Sequence, residues 1–206
     1  MLESKASFSM VSSTVYAIKW INDINGHEFQ DKSSLIKSLL EAARRRPKKV
    51  SKRKDSITAE IIFELAENCN WDDLSEVRDM CIIVIAFSGF FRYDEVSSIK
   101  ANHLKFHNNY LTINLEKSKT DQYRNGNEVL IAAGNTLACP VRILKLYLHL
   151  AEIELTSDMF IFRRVCRSGK SCKLTSKNVR ISYTRTRERI TKLVKGTKAG
   201  KDLNIG

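Results

Sequence analysis

No stretch of this sequence is apolar for long enough to cross a bilayer. Its longest apolar run, Cys81 to Phe87 with Phe90 and Phe91 beyond it, falls far short of the roughly 20 residues that a spanning helix needs. Met1 to Met10 holds one lysine, one glutamate and no sustained apolar stretch, so the N-terminus does not read as a secretory signal. The five cysteines, Cys69, Cys81, Cys139, Cys166 and Cys172, are an odd set without a CxxC pair. That favours reduced thiols in an intracellular protein over disulfides or a zinc site. Neither a P-loop nor a GxGxxG fingerprint is present, which removes the kinase and nucleotide-hydrolase readings. The four histidines are scattered, so neither a metal site nor a cofactor is expected. No internal repeat or low-complexity tract is visible.

What is present is an ordinary globular balance with an unusual charge distribution. Of the 206 residues 43% are hydrophobic and 28% charged, enough for one full domain with a real core, or a domain plus a piece of another. The net charge of +12 is concentrated in two blocks. Arg44 to Lys54 carries eight basic residues in eleven with no acid, and Arg163 to Lys201 carries fourteen against the single Glu188. The rest of the chain is net negative, so these blocks point to a polyanion-binding surface. An RNA-binding reading has little support, since few aromatics interleave the basic blocks and no RNA-binding signature is recognisable.

Val11 to Ile24 sets Val15, Ile18, Trp20 and Ile21 at mostly helical spacing and stops at Asn25-Gly26. Ser33 to Arg46 places Leu35, Ile36, Leu39, Leu40 and Ala43 on one side of a second helix. Two short helices are too little for an independent domain. Pro47 within dense like charge marks an extended connector, a basic linker over residues 47–55. Beyond it, Ser56 or Thr58 caps a helix to about Glu67, and another runs from about Asp73 until Gly89 ends it. Asp94 to Lys100 predicts a short helix. The period then turns alternating over His103–Phe106, Tyr110–Glu116 and Glu128–Ala132, a small antiparallel sheet of about three strands. Pro140 opens a helix to about Ala151, Met159 to Phe162 makes a short extended piece, and Thr175 or Ser176 caps a long basic helix to about Lys195. The expected fold is mainly α with a small antiparallel β-sheet (α+β).

The segment FSGFFRYDEVSSIK, Phe87 to Lys100, joins an apolar helix, a glycine, an arginine and a glutamate three residues later. Followed by a hairpin carrying EKSKTDQYRNG, Glu116 to Gly126, it resembles the catalytic domain of the tyrosine recombinases, the phage-integrase family, in its eukaryotic mobile-element flavour. Alone, an arginine and glutamate at i, i+3 are usually a surface pair worth a few tenths of a kcal/mol. The order of helix, glycine, arginine, hairpin and lysine carries the likeness. It implies attack of a tyrosine hydroxyl on a DNA phosphodiester, with a covalent phosphotyrosyl link storing the bond energy. Guanidinium groups suit the charge that builds on the non-bridging oxygens. By this resemblance Arg92 is the first such arginine, Glu95 holds the site in shape, and Lys119 protonates the leaving 5′ oxygen, with Lys117 as second choice. Arg44, Arg45, Arg46, Lys48, Lys49, Lys52, Arg53 and Lys54 run where the family lays a linker along double-stranded DNA. Residues 1–46 then read as the C-terminal remnant of an N-terminal helical core-binding domain, and residues 56–206 as a partial catalytic domain.

The family pattern continues with a His-x-x-Arg box, a His or Trp, and the nucleophilic tyrosine. His27, His103, His107 and His149 are followed three residues on by Gln30, Phe106, Tyr110 and Glu152, so none opens the box. All six tyrosines precede the point where the box would begin. The expectation is an incomplete recombinase domain, a fragment or decayed copy, that binds duplex DNA and does not cut it alone. A non-catalytic DNA-binding module that keeps the clamp surface is the alternative. A full-length form would assemble on DNA as a homo-oligomer, in the nucleus of a eukaryote or otherwise in the cytoplasm.

Overall fold

The computed structural model describes residues 6–29, 33–46, 53–116, 127–168 and 171–205. The chain divides into two compact units, Met1–Lys52 and Arg53–Gly206. The architecture is helical with small antiparallel sheets.

The first unit is a pair of helices, α1 (Phe8–Ile24) and α2 (Ser34–Arg45). Each begins on a serine whose hydroxyl accepts a backbone N–H three residues on, Ser7 from Met10 and Ser33 from Ile36, both at 3.3 Å. Val11, Val15 and Ile18 of α1 share an apolar groove with Ile36, Leu39 and Leu40 of α2. Among the described residues of this unit only Val11 and Ala43 are buried apolar side chains, while Tyr16, Trp20, Ile21, Ile24 and Leu35 stay exposed.

The second unit is built around one helix. α3 (Ala59–Glu67) starts at Thr58, and α4 (Leu74–Ser88) starts at Asp73, whose carboxylate accepts the N–H groups of Ser75 at 2.8 Å and Glu76 at 3.2 Å. α4 is buried almost throughout, and Cys81 and Ile85 have no exposed surface. Against it packs α6 (Pro140–Leu150), bringing Ile143, Leu144 and Tyr147 into the same core. Between them in sequence lie α5 (Tyr93–Ser97), a 3-10 turn (Ala101–His103) and the strands β1 (Leu104–Phe106), β2 (Tyr110–Leu115) and β3 (Asn127–Ala132). The strands form an antiparallel sheet in the order β1-β2-β3, with Leu104 opposite Ile113 and Leu111 opposite Ile131. Leu111, Ile113 and Ile131 therefore enter the core from one face.

Two expectations are corrected here. The basic helix, α7 (Tyr183–Lys195), starts after Ser182 and not at Thr175 or Ser176. The residues before it are drawn into tertiary bonds: the Thr175 N–H donates to the Arg164 carbonyl at 2.8 Å, closing a second hairpin, β4 (Val165–Ser168) with β5 (Ser171–Leu174), which the periodicity did not announce. The helix predicted over Asp94–Lys100 is α5 alone. The chain beyond it is extended and pairs with the Met159–Phe162 piece, Ala101 donating to Met159 and Ile161 to Ile99. As expected, α4 stops at Gly89, and the residue in the left-handed region is the next one, Phe90 at φ +52°. Gly89 is needed for clearance, because a Cβ there would lie 2.5 Å from the Phe91 ring.

Candidate functional site

Arg92 sits at the N-cap of α5, directly after the strained Phe90 and the buried Phe91. Three residues on, Glu95 folds back: one carboxylate oxygen accepts the Arg92 N–H at 2.7 Å, the other the Arg92 Nη1 at 3.2 Å. The carboxylate is buried, with 8% of the side chain exposed, while the guanidinium is 59% exposed. A cap that closes the first turn of a helix thus also orients a cation toward solvent. Such a group presents several fixed donors and a permanent charge to an anionic oxygen.

The next residue, Tyr93, ties this turn to α7. Its hydroxyl donates to the Ile181 carbonyl, and its ring packs edge-on against Tyr183, centroids 5.1 Å apart. Burial pushes the Tyr93 phenol above its ordinary value. Tyr147 is fully buried, gives its hydroxyl to the Ile161 carbonyl at 2.6 Å, and is likewise raised by burial.

At the base of the β2–β3 hairpin, Lys100 bridges Glu116 at 3.2 Å and Asp158 at 3.0 Å, and His103 Nε2 meets the same Glu116 oxygen at 3.0 Å. This cluster pins the last described residue before the segment that carries Lys117 and Lys119. Both of those lysines, and Lys48, Lys49 and Lys52, lie outside the described residues. Arg44 and Arg45 are exposed on the last turn of α2, and Arg46 caps it. Arg44 stacks over Phe8 at 5.4 Å, and Arg45 pairs with Glu41 at 2.9 Å. Arg53 and Lys54 are held beside Asn204, which donates to the Arg53 carbonyl at 3.0 Å. The structure brings Arg92 and Glu95 together.

Two arrangements were invisible in the sequence. Inside α4, Arg78 and Asp79 are both buried and paired at 2.6 Å, and the other Asp79 oxygen takes Arg189 of α7. Beside this network opens a cavity of about 410 Å³ walled by Arg78, Arg164, Lys177, Arg180, Arg185 and Arg189, with no acidic residue in its lining. A larger cleft of about 1110 Å³ between α3 and α7 is of mixed sign. Its Glu64 is already satisfied by the N–H groups of Lys198 and Ala199. Only the crowding of basic residues after Arg163 hinted at the smaller, basic cavity. Among the described residues no group of three or more His, Cys, Asp or Glu side chains is placed to hold a metal ion, and no helix is long and apolar enough to cross a membrane.

No family model matches the chain. An integrase/recombinase xerD homolog of Selenomonas ruminantium is 30% identical over 158 residues, 75% of this chain and 46% of the relative. The chain therefore spans about half the length of the curated relative it matches. Among solved structures, the XerH site-specific recombinase bound to difH substrate in a pre-cleavage complex aligns over 97% of this chain and 55% of that one, with a TM-score of 0.49 and 12% identity. The XerH post-cleavage complex on palindromic difH aligns over 92% and 52%, with a TM-score of 0.47 and 13% identity.

Proposed function

The chain carries a tyrosine recombinase family domain, and we propose that it binds duplex DNA and supplies one part of that family's site for breaking and rejoining a phosphodiester. The observation that carries this reading is the Arg92–Glu95 pair, a solvent-facing guanidinium fixed by a buried carboxylate at the start of a helix. In the proposed role Arg92 meets the non-bridging oxygens of the phosphate, where negative charge grows in the transition state. Glu95 is a positioning residue that holds Arg92 without touching DNA. Lys119, with Lys117 as the alternative, donates the proton that the leaving 5′ oxygen requires. The basic run from Arg44 to Lys54 lies against backbone phosphates and reads no bases.

The nucleophile is not among the tyrosines that the fold has committed elsewhere. Tyr147 has no solvent access, and the Tyr93 hydroxyl is taken by Ile181. In this reading the 206 residues by themselves bind without forming a covalent link, because none of their four histidines opens a His-x-x-Arg box. A longer form that adds a His-x-x-Arg box and a tyrosine would cleave, assembled as a homo-oligomer on its site.

The test is a nicked suicide duplex incubated with the purified chain and then denatured, alongside equilibrium binding to the same duplex. Binding that weakens steeply with salt, without a covalent adduct, is the expected result. If the basic run supplies about five phosphate contacts, the log–log slope should be near −4.5, at roughly −0.9 per contact. An adduct on any tyrosine of this chain would overturn the division of roles, and no affinity for duplex DNA would overturn the function itself.

A further inference from the structure

We propose that the basic cavity beside α7 seats a phosphate group, supplied by the backbone of duplex DNA. The inference rests on the reading of the chain as a duplex-DNA binder, but its site is separate from Arg92.

The argument begins with charge. Six cationic side chains line about 410 Å³, and like charges at such separations repel one another. Asp79 neutralises two of them, since it takes Arg78 on one oxygen and Arg189 on the other. Those two are further spent inside the fold, Arg78 donating to the Arg163 carbonyl at 3.2 Å. Arg164, Lys177, Arg180 and Arg185 have no acidic partner within ion-pair distance among the described residues, and all four are exposed. The cavity is thus a concave cluster of four uncompensated cations on a floor whose own charge is balanced.

Its wall adds oriented donors. Ser182, the N-cap of the thirteen-residue α7, lines the cavity, makes no side-chain cap, and is followed by no acid in the first turn. The uncapped N–H groups and the positive end of the dipole at that helix start favour an anion, as the cationic lining does. A tetrahedral dianion or phosphodiester matches forked guanidinium donors better than a carboxylate-free apolar ligand could. The source follows from placement. Ile181 in the cavity wall accepts the hydroxyl of Tyr93, the residue after Arg92, so the cavity and Arg92 sit on directly linked elements. In this reading a strand whose phosphate meets Arg92 brings a neighbouring phosphate to the cavity, whereas a free phosphate would need no such adjacency.

The experiment uses the full chain and an Arg164→Ala/Arg185→Ala variant, with Lys105→Ala/Lys145→Ala as a control that removes the same charge elsewhere. Melting temperature is read in inorganic phosphate against chloride at matched ionic strength. The salt dependence of duplex-DNA affinity is read in parallel. Phosphate should raise the melting temperature of the chain and the control but not of the cavity variant. The log–log slope should become shallower by about 0.9 to 2, one or two phosphates lost, in the cavity variant beyond any change in the control. Phosphate protection lost while the slope matches the control would overturn DNA as the source and leave a free-phosphate site. Loss of neither would overturn the cavity as a phosphate site. Should the double variant fail to fold, amide resonances of Ser182 to Arg185 in the unaltered chain shift on phosphate titration if the site exists and stay fixed if it does not. A chain with no DNA affinity at all refutes the proposed function, and the phosphate arm still decides the cavity.

Discussion

Glu95 receives two hydrogen bonds from a single residue, Arg92, one from its backbone N–H and one from its guanidinium. The two bonds have different work. The first closes a helix and stabilises the fold, and the second aims a charge.

That division predicts an asymmetry between the partners. Glu95→Ala removes the cap and should cost about 0.5–2 kcal/mol, while Arg92→Ala, which removes a mostly exposed side chain and leaves the backbone bond to Glu95 in place, should cost less. Urea unfolding of the two variants measures both. Equal losses would show that Arg92 is a structural residue.

Asp79 holds a guanidinium on each side while almost wholly buried. Asp79→Ala leaves Arg78 charged and without its carboxylate in the core, so a loss of roughly 3–5 kcal/mol is expected. A loss under about 1 kcal/mol in the same assay would mean that water reaches Arg78 readily.

The cluster at the hairpin base should respond to pH at both extremes. Lys100 first, then His103, lowers the Glu116 carboxyl from its ordinary 4.5, and Lys100 lowers Asp158 from 3.8. Asp158 and then Glu116 raise Lys100 above 10.5. The carboxylates contribute stability that is fully present above their ordinary values and is lost as pH falls through their lowered folded ones. Lys100 contributes below its ordinary value and loses that contribution as pH rises through its raised one. The melting difference between the chain and Lys100→Met should therefore be flat between about pH 5 and 10 and shrink on either side. Because both carboxylates face water, the difference is small throughout. The same difference at about pH 3 as at pH 7 would remove the ion pairs as its cause.

Gly200 is a matter of space. A side chain there would run into the Val194 carbonyl oxygen and the Thr197 hydroxyl, and that hydroxyl already accepts the Gly200 N–H at 3.0 Å. Gly200→Ala should destabilise the second unit by about 1–3 kcal/mol, read from thermal melting. An unchanged midpoint would show that the turn after α7 yields freely.

How far the sequence foretold this fold depends on how local each signal was. Ser33, Asp73 and Pro140 each mark the start of a helix, because a cap or a fixed φ acts within a few residues. Thr175 and Ser176 looked equally suited, yet the Thr175 N–H goes to Arg164 across the second hairpin, a bond that no pattern of neighbours encodes. β4 and β5 escaped for the same reason, being short, basic and without clean alternation. In the site, Arg92 and Glu95 were legible because they are one helical turn apart. The Asp79–Arg189 bond spans 110 positions, and Lys100 meets Glu116 and Asp158 from elements that only the folded chain makes adjacent.

The division into two units also has a spectroscopic meaning. The chain has two tryptophans: Trp20 lies exposed on α1, and Trp71 is half-buried against the core of the second unit. Each unit thus has its own fluorophore. Emission recorded during denaturation is a sum of two reporters, and units that unfold separately do not share one midpoint. Trp20→Phe leaves Trp71 to report on the unit that holds Arg92, and Trp71→Phe leaves Trp20 to follow the helical pair.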